Sequence, residues 1–263
     1  MLVSKKLVFL ELQKTGSTHI KQLLKKTVGG SNDGKHNQAS PELRASGKEF
    51  VGSIRDPWSW YLSLFTYGCQ EKGGVFIRTT NPKNWNKLTP EERATPGYEH
   101  YDVEFAKGMY KDPENAENFK HWLKLVTTTG PHRKLIEDGF FASPLSGLAG
   151  LMTYRYFLLF CDEGATVPEA AVKTMKALKE YEEKHRFVKH IIRNESLAED
   201  LIQVVQACGE TLSEEDLALI REAPKTNTSA RKQPRSHYYD DIAVSLVAKR
   251  EKFIIDKFGY KFA

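Results

Sequence analysis

The hydrophobic pattern of the first thirty residues predicts a strand, a short polar loop and a helix. Residues 7–12 (LVFLEL) form an almost continuous apolar run of strand length, which is typical of a buried strand. Between residues 20 and 28 the apolar positions recur three and four residues apart, as on one face of a helix. The glycines at 29–30 end that helix. The polar residues 13–18 (QKTGST) therefore form a tight strand-to-helix loop.

Strand and helix patterns continue to alternate along the chain. Residues 49–55 predict a second strand, and Asp56 with Pro57 begins a helix, because Asp caps a helix and Pro fits its first turn. Residues 187–193 predict a later strand. The segment 148–161 is apolar throughout and fits either a strand or a buried helix. Further helices are predicted over residues 114–128, 167–185, 197–208, 213–222 and 238–258.

This alternation predicts an α/β fold with a mostly parallel central sheet flanked by helices. The sequence has no internal repeat and no break in composition, so a single domain over residues 1–263 is expected. Residues 70–100 mix glycine, proline, asparagine and charge without a period. We therefore predict a long loop or insertion around residues 70–150, a kind of segment that is often functional.

Composition restricts the class of protein. The 263 residues are 40% hydrophobic and 28% charged, a globular balance. Lysine and arginine number 39 against 34 acidic residues, so the net charge of +5 favours anionic ligands. A dense basic tract, which a dedicated nucleic-acid-binding protein carries, does not occur in the sequence. We therefore expect no nucleic acid among the partners.

Other features bear on location. No apolar stretch reaches the length of a membrane span. The N-terminal apolar run is short and is followed by no small-residue cleavage site, so it does not resemble a signal peptide. The three cysteines are far apart and odd in number, which suits reduced thiols. A cytoplasmic protein without a membrane span is the expectation.

The polar loop after the first strand has the composition of an anion-binding site. Lys14 supplies a full positive charge, Ser17 and Thr18 supply hydroxyl groups, and Gly16 lets the backbone approach a ligand closely. A helix that begins directly after such a loop adds free N–H groups and the positive end of its dipole. The same residues also fit a plain helix N-terminus without a ligand, so both interpretations stay open here.

The end of the second strand offers a second set of anion ligands. Arg55 ends this strand, and Ser63 follows it by eight residues, about two helical turns into the next helix. A guanidinium group and a hydroxyl group suit a phosphate. The alternative is an arginine paired with a carboxylate. A nearby segment, residues 29–36 (GGSNDGKH), almost fits the phosphate-binding pattern of nucleoside triphosphatases. However, it follows a helix and places His36 where a hydroxyl belongs.

Taken together, these segments resemble one enzyme family. QKTGST at residues 13–18, followed by IRDPWSWYLSLF at residues 54–65, is similar to the two nucleotide-binding motifs of the sulfotransferases that use 3′-phosphoadenosine 5′-phosphosulfate (PAPS). Residues 194–197 (NESL) and the pattern from 227 to 240 look similar to the bacterial and carbohydrate-type branch. The resemblance implies a single-domain, three-layer fold like that of P-loop nucleoside triphosphatases. Residues 70–150 match no part of the family pattern.

The resemblance also implies roles for individual residues. The first motif would hold the 5′-phosphosulfate through Lys14, Thr15, Gly16, Ser17 and Thr18. The second motif would hold the 3′-phosphate through Arg55 and Ser63. A late basic loop would close over the nucleotide through Arg231 and Lys232. By this analogy the reaction passes the sulfuryl group from PAPS to a hydroxyl group of a carbohydrate or another small metabolite, by in-line displacement and without a metal ion.

Such a reaction needs a base for the hydroxyl proton. His36 is the first candidate, because it lies in the stretch before the second motif where carbohydrate-type relatives carry a histidine, and because imidazole titrates near neutral pH. Glu11, on the strand before the loop, is the second candidate, and His19 is the third. Each could instead be structural. Lys14 would act in catalysis by stabilising the bridging oxygen as its bond to sulfur breaks.

Two other functions use the same strand–loop–helix arrangement. A nucleotide-dependent kinase would need a lysine–serine pair in the loop and an acidic magnesium ligand, and the sequence shows neither. A non-catalytic nucleotide-binding module would keep the same binding residues without turnover. The sequence gives no metal-binding pattern, no acceptor identity and no oligomeric state.

Overall fold

The computed structural model describes residues 1–224 and 231–262, and it assigns five strands to them. The strands, in chain order, are β1 (Leu2–Val3), β2 (Leu7–Phe9), β3 (Ser31–Asn32), β4 (Glu49–Ile54) and β5 (His190–Arg193).

Helices make up most of the remaining described residues. The α-helices, in chain order, are α1 (Ser17–Thr27), α2 (Pro41–Arg44), α3 (Pro57–Gly68), α4 (Gly74–Thr79), α5 (Pro82–Trp85), α6 (Pro90–Arg93), α7 (Val103–Met109), α8 (Ala116–Val126), α9 (Asp138–Ala142), α10 (Leu145–Leu148), α11 (Leu151–Phe160), α12 (Met175–His185), α13 (Leu197–Ala207), α14 (Glu214–Glu222), α15 (Arg235–Tyr238), α16 (Asp241–Arg250) and α17 (Lys252–Phe258). Short 3-10 helices cover Pro131–Leu135, Gly164–Thr166, Glu169–Val172 and Asn194–Ser196.

These elements form two units, each assembled from three separate chain segments. Unit 1 contains Met1–Asp56, Arg155–Gly164 and the described part of Tyr181–Thr228; unit 2 contains Pro57–Tyr154, Ala165–Glu180 and the described part of Ser229–Ala263. The division does not cut the chain at one point in the sequence. The prediction of one domain over residues 1–263 therefore stays a prediction.

Unit 1 contains a five-stranded sheet in the order β3-β1-β2-β4-β5. The β2–β4 and β4–β5 pairs are parallel, whereas β1 is antiparallel to both of its neighbours. The sheet is therefore mixed, and the prediction of a mostly parallel sheet was wrong. Two strands, Leu2–Val3 and Ser31–Asn32, account for the difference. Each has only two residues, too few to show an alternating pattern, and the second is polar and exposed.

The sheet has helical residues on both faces, so the coarser prediction of an α/β fold is confirmed. On one face Phe9 and Val51 share a buried apolar cluster with Leu23 of α1 and with residues of α13 and α14. Gly52 follows Val51 on β4 and so points to the opposite face. A Cβ atom at position 52 would lie 2.6 Å from the ring of Phe160. Helix α11 therefore packs directly against the β4 backbone.

Unit 2 is helical and is built around aromatic side chains. Phe65 on α3 lies 5.4 Å from Phe119 and 5.5 Å from Trp122, both on α8, measured between ring centroids. Tyr239 lies 4.9 Å from Phe119 by the same measure. The segment 70–150, predicted as a loop or insertion, contributes the seven helices α4 to α10 to this unit.

The C-terminal helix predicted over residues 238–258 is divided in two at Glu251, between α16 and α17. The Glu251 carboxylate is fully buried and accepts hydrogen bonds from the Tyr61 hydroxyl at 2.6 Å and from the N–H and hydroxyl of Thr153 at 2.9 and 2.6 Å. It also accepts from the Met152 N–H at 3.1 Å. The helix breaks because Glu251 caps the first turn of α11.

Within the two described ranges of the chain, no helix combines the length and the apolar character that crossing a bilayer requires.

Candidate anion-binding site

Three adjacent parallel strands of unit 1 end at the same edge of the sheet. In the register, Phe9 of β2 lies opposite Val51 of β4, and Ile54 of β4 lies opposite Arg193 of β5. The connections that follow these strands therefore meet at one edge, as the carboxyl ends of parallel strands do. The first of these connections, residues 10–16, is called the β2–α1 loop below.

The β2–α1 loop has a constrained backbone that is tied to β4. Lys14 has a φ of 64° and Gly16 a φ of 80°, both in the left-handed region, which costs a non-glycine residue about 1–2 kcal/mol. Between them, Thr15 donates its hydroxyl hydrogen to the Leu12 carbonyl at 2.8 Å and accepts from the Ser53 hydroxyl at 2.6 Å. The Thr15 hydroxyl is therefore engaged in holding the loop against β4.

Positive charge is concentrated at this loop. The Arg55 guanidinium donates to the carbonyl of Lys14 at 3.3 Å. Burial, followed by the positive charges of Arg55 and Lys35, lowers the pKa of the Lys14 ammonium group to about 8. The positive charges of Lys14 and Arg55 repel each other, so both would stabilise an anion placed between them.

Helix α1 begins at the end of the loop. Ser17 and Thr18 occupy its first turn, which contains no acidic residue. The first N–H groups of a helix have no partner within the helix, and the helix dipole places partial positive charge at this end. The structure thus brings the first predicted motif and Arg55 together at one helix N-terminus, in the arrangement that binds anions in many proteins.

His36 lies beside this loop with a fixed ring orientation. Its Nδ1 atom lies 2.6 Å from the carbonyl oxygen of Glu11. Because a carbonyl only accepts, Nδ1 carries the proton and Nε2 carries the lone pair. Burial lowers the pKa of His36 below its ordinary value; the Glu11 carbonyl acts in the opposite direction, and Lys35 and Arg155 lower the pKa further. The imidazole is therefore neutral at pH 7.

Glu11 is buried and its carboxylate is paired. One carboxylate oxygen accepts from the Lys21 ammonium group on α1 at 2.8 Å and lies 3.3 Å from the amino group of Met1. This carboxylate oxygen is therefore engaged by two ammonium groups. The third candidate base, His19, is buried within the first turns of α1.

The other predicted nucleotide contacts belong to unit 2. Ser63 is half-buried on α3, and Lys232 is exposed. Arg231 donates from its guanidinium group to the Gln233 carbonyl at 3.3 Å. Glu114, in the turn before α8, holds the backbone of this segment, because it accepts from the Lys232 N–H at 2.6 Å. Residues 227–230, which the family pattern includes, lie outside the described residues.

Sequence reasoning missed several residues at the edge of the sheet. Lys35 and Arg155 add positive charge near His36. Arg155 could have been noticed in the sequence, because it is the one charged residue in the apolar run of α11. In the structure it is only 7% exposed. Asn194, which follows β5, donates from its amide to the Thr15 carbonyl at 3.3 Å. Only its place in the family pattern, and no chemical feature, drew attention to it.

Among the described residues, no group of three or more histidine, cysteine, aspartate or glutamate side chains is arranged to hold a metal ion. The chain matches no protein-family model, and it has no significant match among curated proteins or solved structures.

Proposed function

We propose that this protein transfers a sulfuryl group from PAPS to a hydroxyl group of an acceptor. One observation carries the proposal: Arg55, directly after β4, donates to the Lys14 carbonyl in the β2–α1 loop, and its charge is close enough to lower the pKa of the Lys14 ammonium group. Cations from two neighbouring strand ends therefore adjoin one helix N-terminus. A nucleotide with anionic groups at both its 5′ and 3′ positions is complementary to such a pair.

The 5′-phosphosulfate is assigned to the β2–α1 loop and the first turn of α1. Lys14 supplies the full positive charge, and Gly16, Ser17 and Thr18 supply backbone N–H groups and hydroxyls. Thr15 is expected to contribute through its backbone, because its hydroxyl is engaged with Leu12 and Ser53. Fixed dipoles and cations of this kind stabilise charge without reorganising during the reaction.

The 3′-phosphate is assigned to Arg55, whose planar guanidinium group can bind a phosphate through two hydrogen bonds. The resemblance adds Ser63 to this group. It also assigns Arg231 and Lys232 to the segment that closes over the nucleotide. These three assignments rest on the family pattern alone.

His36 is assigned the role of the base. Its Nδ1–H group is fixed on the Glu11 carbonyl, so Nε2 is the atom that accepts a proton from the acceptor hydroxyl. Glu11 is less suited to this role, since its carboxylate is paired with Lys21 and the Met1 amino group. Glu11 then acts in catalysis through its carbonyl, as a residue that positions the imidazole.

The first experiment compares two nucleotides by thermal shift. A ligand that binds the folded state raises the melting temperature in proportion to the logarithm of its concentration over Kd. We expect 3′-phosphoadenosine 5′-phosphate to raise the melting temperature more than adenosine 5′-phosphate does. Arg55→Ala should remove the difference between the two nucleotides, and Lys14→Ala should reduce both shifts.

Lys25→Ala is the matched control, because it removes a positive charge from an exposed position near the other end of α1. It should leave both shifts unchanged. Equal shifts by the two nucleotides in the wild-type protein would contradict the 3′-phosphate role of Arg55. Transfer of labelled sulfate from PAPS across a panel of sugar, lipid and peptide hydroxyls then tests turnover, and transfer to none of them would leave a binding module.

A further inference from the structure

The turn after β5 contacts both of the connections that carry the two cations. Asn194 donates from its side-chain amide to the carbonyl of Thr15 in the β2–α1 loop, at 3.3 Å. The next residue, Glu195, accepts from the backbone N–H of Asp56, which follows Arg55, at 2.8 Å. Two consecutive side chains therefore hold the residues next to Lys14 and next to Arg55.

The contact with the β2–α1 loop is close because residue 16 has no side chain. A Cβ atom at Gly16 would lie 2.5 Å from Nδ2 of Asn194 and 3.3 Å from Leu197. The amide of Asn194 therefore occupies the space beside the Gly16 backbone. This contact holds the loop at the point where its backbone is in the left-handed region.

The turn that carries these two residues is itself fixed to α13. Asp200 accepts from the Arg193 N–H at 2.8 Å and from the Ser196 hydroxyl at 2.8 Å. Both bonds flank Asn194 and Glu195 in the sequence. Asn194 and Glu195, called the clamp below, are therefore anchored on a helix. Their position does not depend on the two connections that they hold.

We propose that Asn194 and Glu195 are positioning residues that set the separation between Lys14 and Arg55, and so determine how tightly a doubly anionic nucleotide binds. Asn194 fixes the loop on one side of the site and Glu195 fixes the β4–α3 connection on the other. The choice of nucleotide rests on the proposed function. The clamp itself rests on the contacts of Asn194 and Glu195 alone.

The test measures binding of 3′-phosphoadenosine 5′-phosphate by isothermal titration calorimetry in folded variants. Asn194→Ala and Glu195→Ala should each weaken binding about tenfold, the effect of losing one well-placed hydrogen bond next to a charge. Glu195→Gln should bind almost as the wild type does, because its amide oxygen still accepts from the Asp56 N–H. Glu199→Ala is the matched control, since it removes a carboxylate of α13 that pairs with Arg221 on α14, and it should bind normally.

A second measurement does not require the nucleotide. Lysine amines are labelled by ¹³C reductive methylation, and NMR follows the titration of Lys14, whose signal is assigned with a Lys14→Arg sample. The pKa of Lys14 reports its distance to Arg55 and the solvation of the loop. We expect the Lys14 pKa to rise in Asn194→Ala and in Glu195→Ala, and to stay as in the wild type in Glu199→Ala. A residue that merely stabilises the fold would lower the melting temperature without moving this pKa.

The two measurements separate failure of the clamp from failure of the proposed function. If the wild type does not bind the nucleotide but the Lys14 pKa still rises in the two variants, the clamp stands and the function falls. If both alanine variants bind as the wild type does and Lys14 titrates normally in them, the clamp is overturned. Should Asn194→Ala not fold, Asn194→Ser, whose hydroxyl is too short to reach Thr15, takes its place in both measurements.

Discussion

At the scale of single residues, the pKa of Lys14 sets a pH range for anion binding. Burial, followed by the charges of Arg55 and Lys35, lowers this pKa to about 8. The ammonium form is present below that pH and is lost as the pH rises through it. An anion binds the ammonium form better, so it raises the pKa when it binds, and its affinity falls in alkaline solution.

We therefore predict that the affinity for 3′-phosphoadenosine 5′-phosphate decreases between pH 7 and pH 9. Isothermal titration calorimetry at three pH values measures the decrease. Lys14→Arg is the control, because a guanidinium group keeps its charge over this range. A wild-type affinity that is flat from pH 7 to pH 9 would show that the Lys14 ammonium group does not contact the anion.

His36 gives the second prediction at this scale. His36→Ala should lower turnover by ~10²–10⁴, the usual contribution of a general base, while the thermal shift produced by the nucleotide is unchanged. On the acid side, turnover of the wild type should begin to fall below the ordinary histidine pKa, because burial lowers the pKa of His36 and the base must be unprotonated.

The matched variant is Glu11→Gln, which keeps the carbonyl that holds Nδ1 of His36 and removes only the carboxylate charge. We expect it to reduce stability through loss of the Lys21 pair and to cost much less turnover than His36→Ala. Normal turnover in His36→Ala would contradict its role as the base and leave Glu11 or His19 as the base. If Glu11 is the base, Glu11→Gln should lower turnover more than His36→Ala does.

At the scale of elements, the start of α1 depends on a glycine for two reasons. Gly16 has a φ of 80°, and a Cβ atom there would lie 2.5 Å from Asn194. Gly29, after the end of the same helix, has a similar φ of 72° but open space around the position of a Cβ atom. A side chain at Gly29 would therefore cause backbone strain alone, whereas one at Gly16 would cause both backbone strain and steric overlap.

Gly29→Ala should lower the free energy of unfolding by about 1–2 kcal/mol, from backbone strain alone. Gly16→Ala should cost more, because Asn194 must also move, and it should weaken nucleotide binding as well. Urea denaturation of the two variants measures the difference. Equal losses in the two variants would show that Asn194 yields without cost.

The elements that sequence reasoning identified are those with enough residues to show a period. The helix predicted over residues 213–222 is present as Glu214–Glu222, and Ser213 and Asp216 form a capping box at its start. The strands at residues 2–3 and 31–32 were missed because pairing, of the first with β2 and of the two with each other, makes them strands, and not their own composition. The break at Glu251 was missed because the partners of its carboxylate, Met152 and Thr153 on α11, lie 99 and 98 residues away in the sequence.

The same limit applies to the site. The motif at residues 13–18 and Arg55 could be found from the sequence, because each follows a strand and carries its own chemistry. The contribution of Asn194 depends on a tertiary contact with the Thr15 carbonyl, and a single asparagine has no local pattern. Sequence reasoning therefore found the residues proposed to bind the anion and missed those that hold the β2–α1 loop in place.

At the scale of the whole molecule, the chain alternates between two units, with three segments in each. All four tryptophans lie in unit 2, within Pro57–Tyr154, and all are buried. Tryptophan fluorescence therefore reports on unit 2, while far-UV circular dichroism reports on both units. Within each unit, successive segments are connected along the chain by segments of the other unit. We therefore expect the two units to unfold together.

The test is a substitution in the core of unit 1. Leu23→Ala, on α1, should cost about 2–5 kcal/mol and should lower the fluorescence and circular dichroism midpoints by the same amount, even though Leu23 is in unit 1 and the tryptophans are in unit 2. Phe119→Ala, in the core of unit 2, is the matched variant. A fluorescence midpoint that does not respond to Leu23→Ala would show that the units unfold independently.

The buried carboxylate between α16 and α17 has a consequence for how this sequence can change over time. A Cβ atom at Gly150 would lie 2.0 Å from a carboxylate oxygen of Glu251 and 2.8 Å from the Tyr61 hydroxyl. Any side chain at position 150 is thus incompatible with the acid at position 251, although a hundred residues separate them. Descendants of this chain that gain a larger residue at 150 should first have lost the acid at 251, so the two positions are expected to be inherited as a pair.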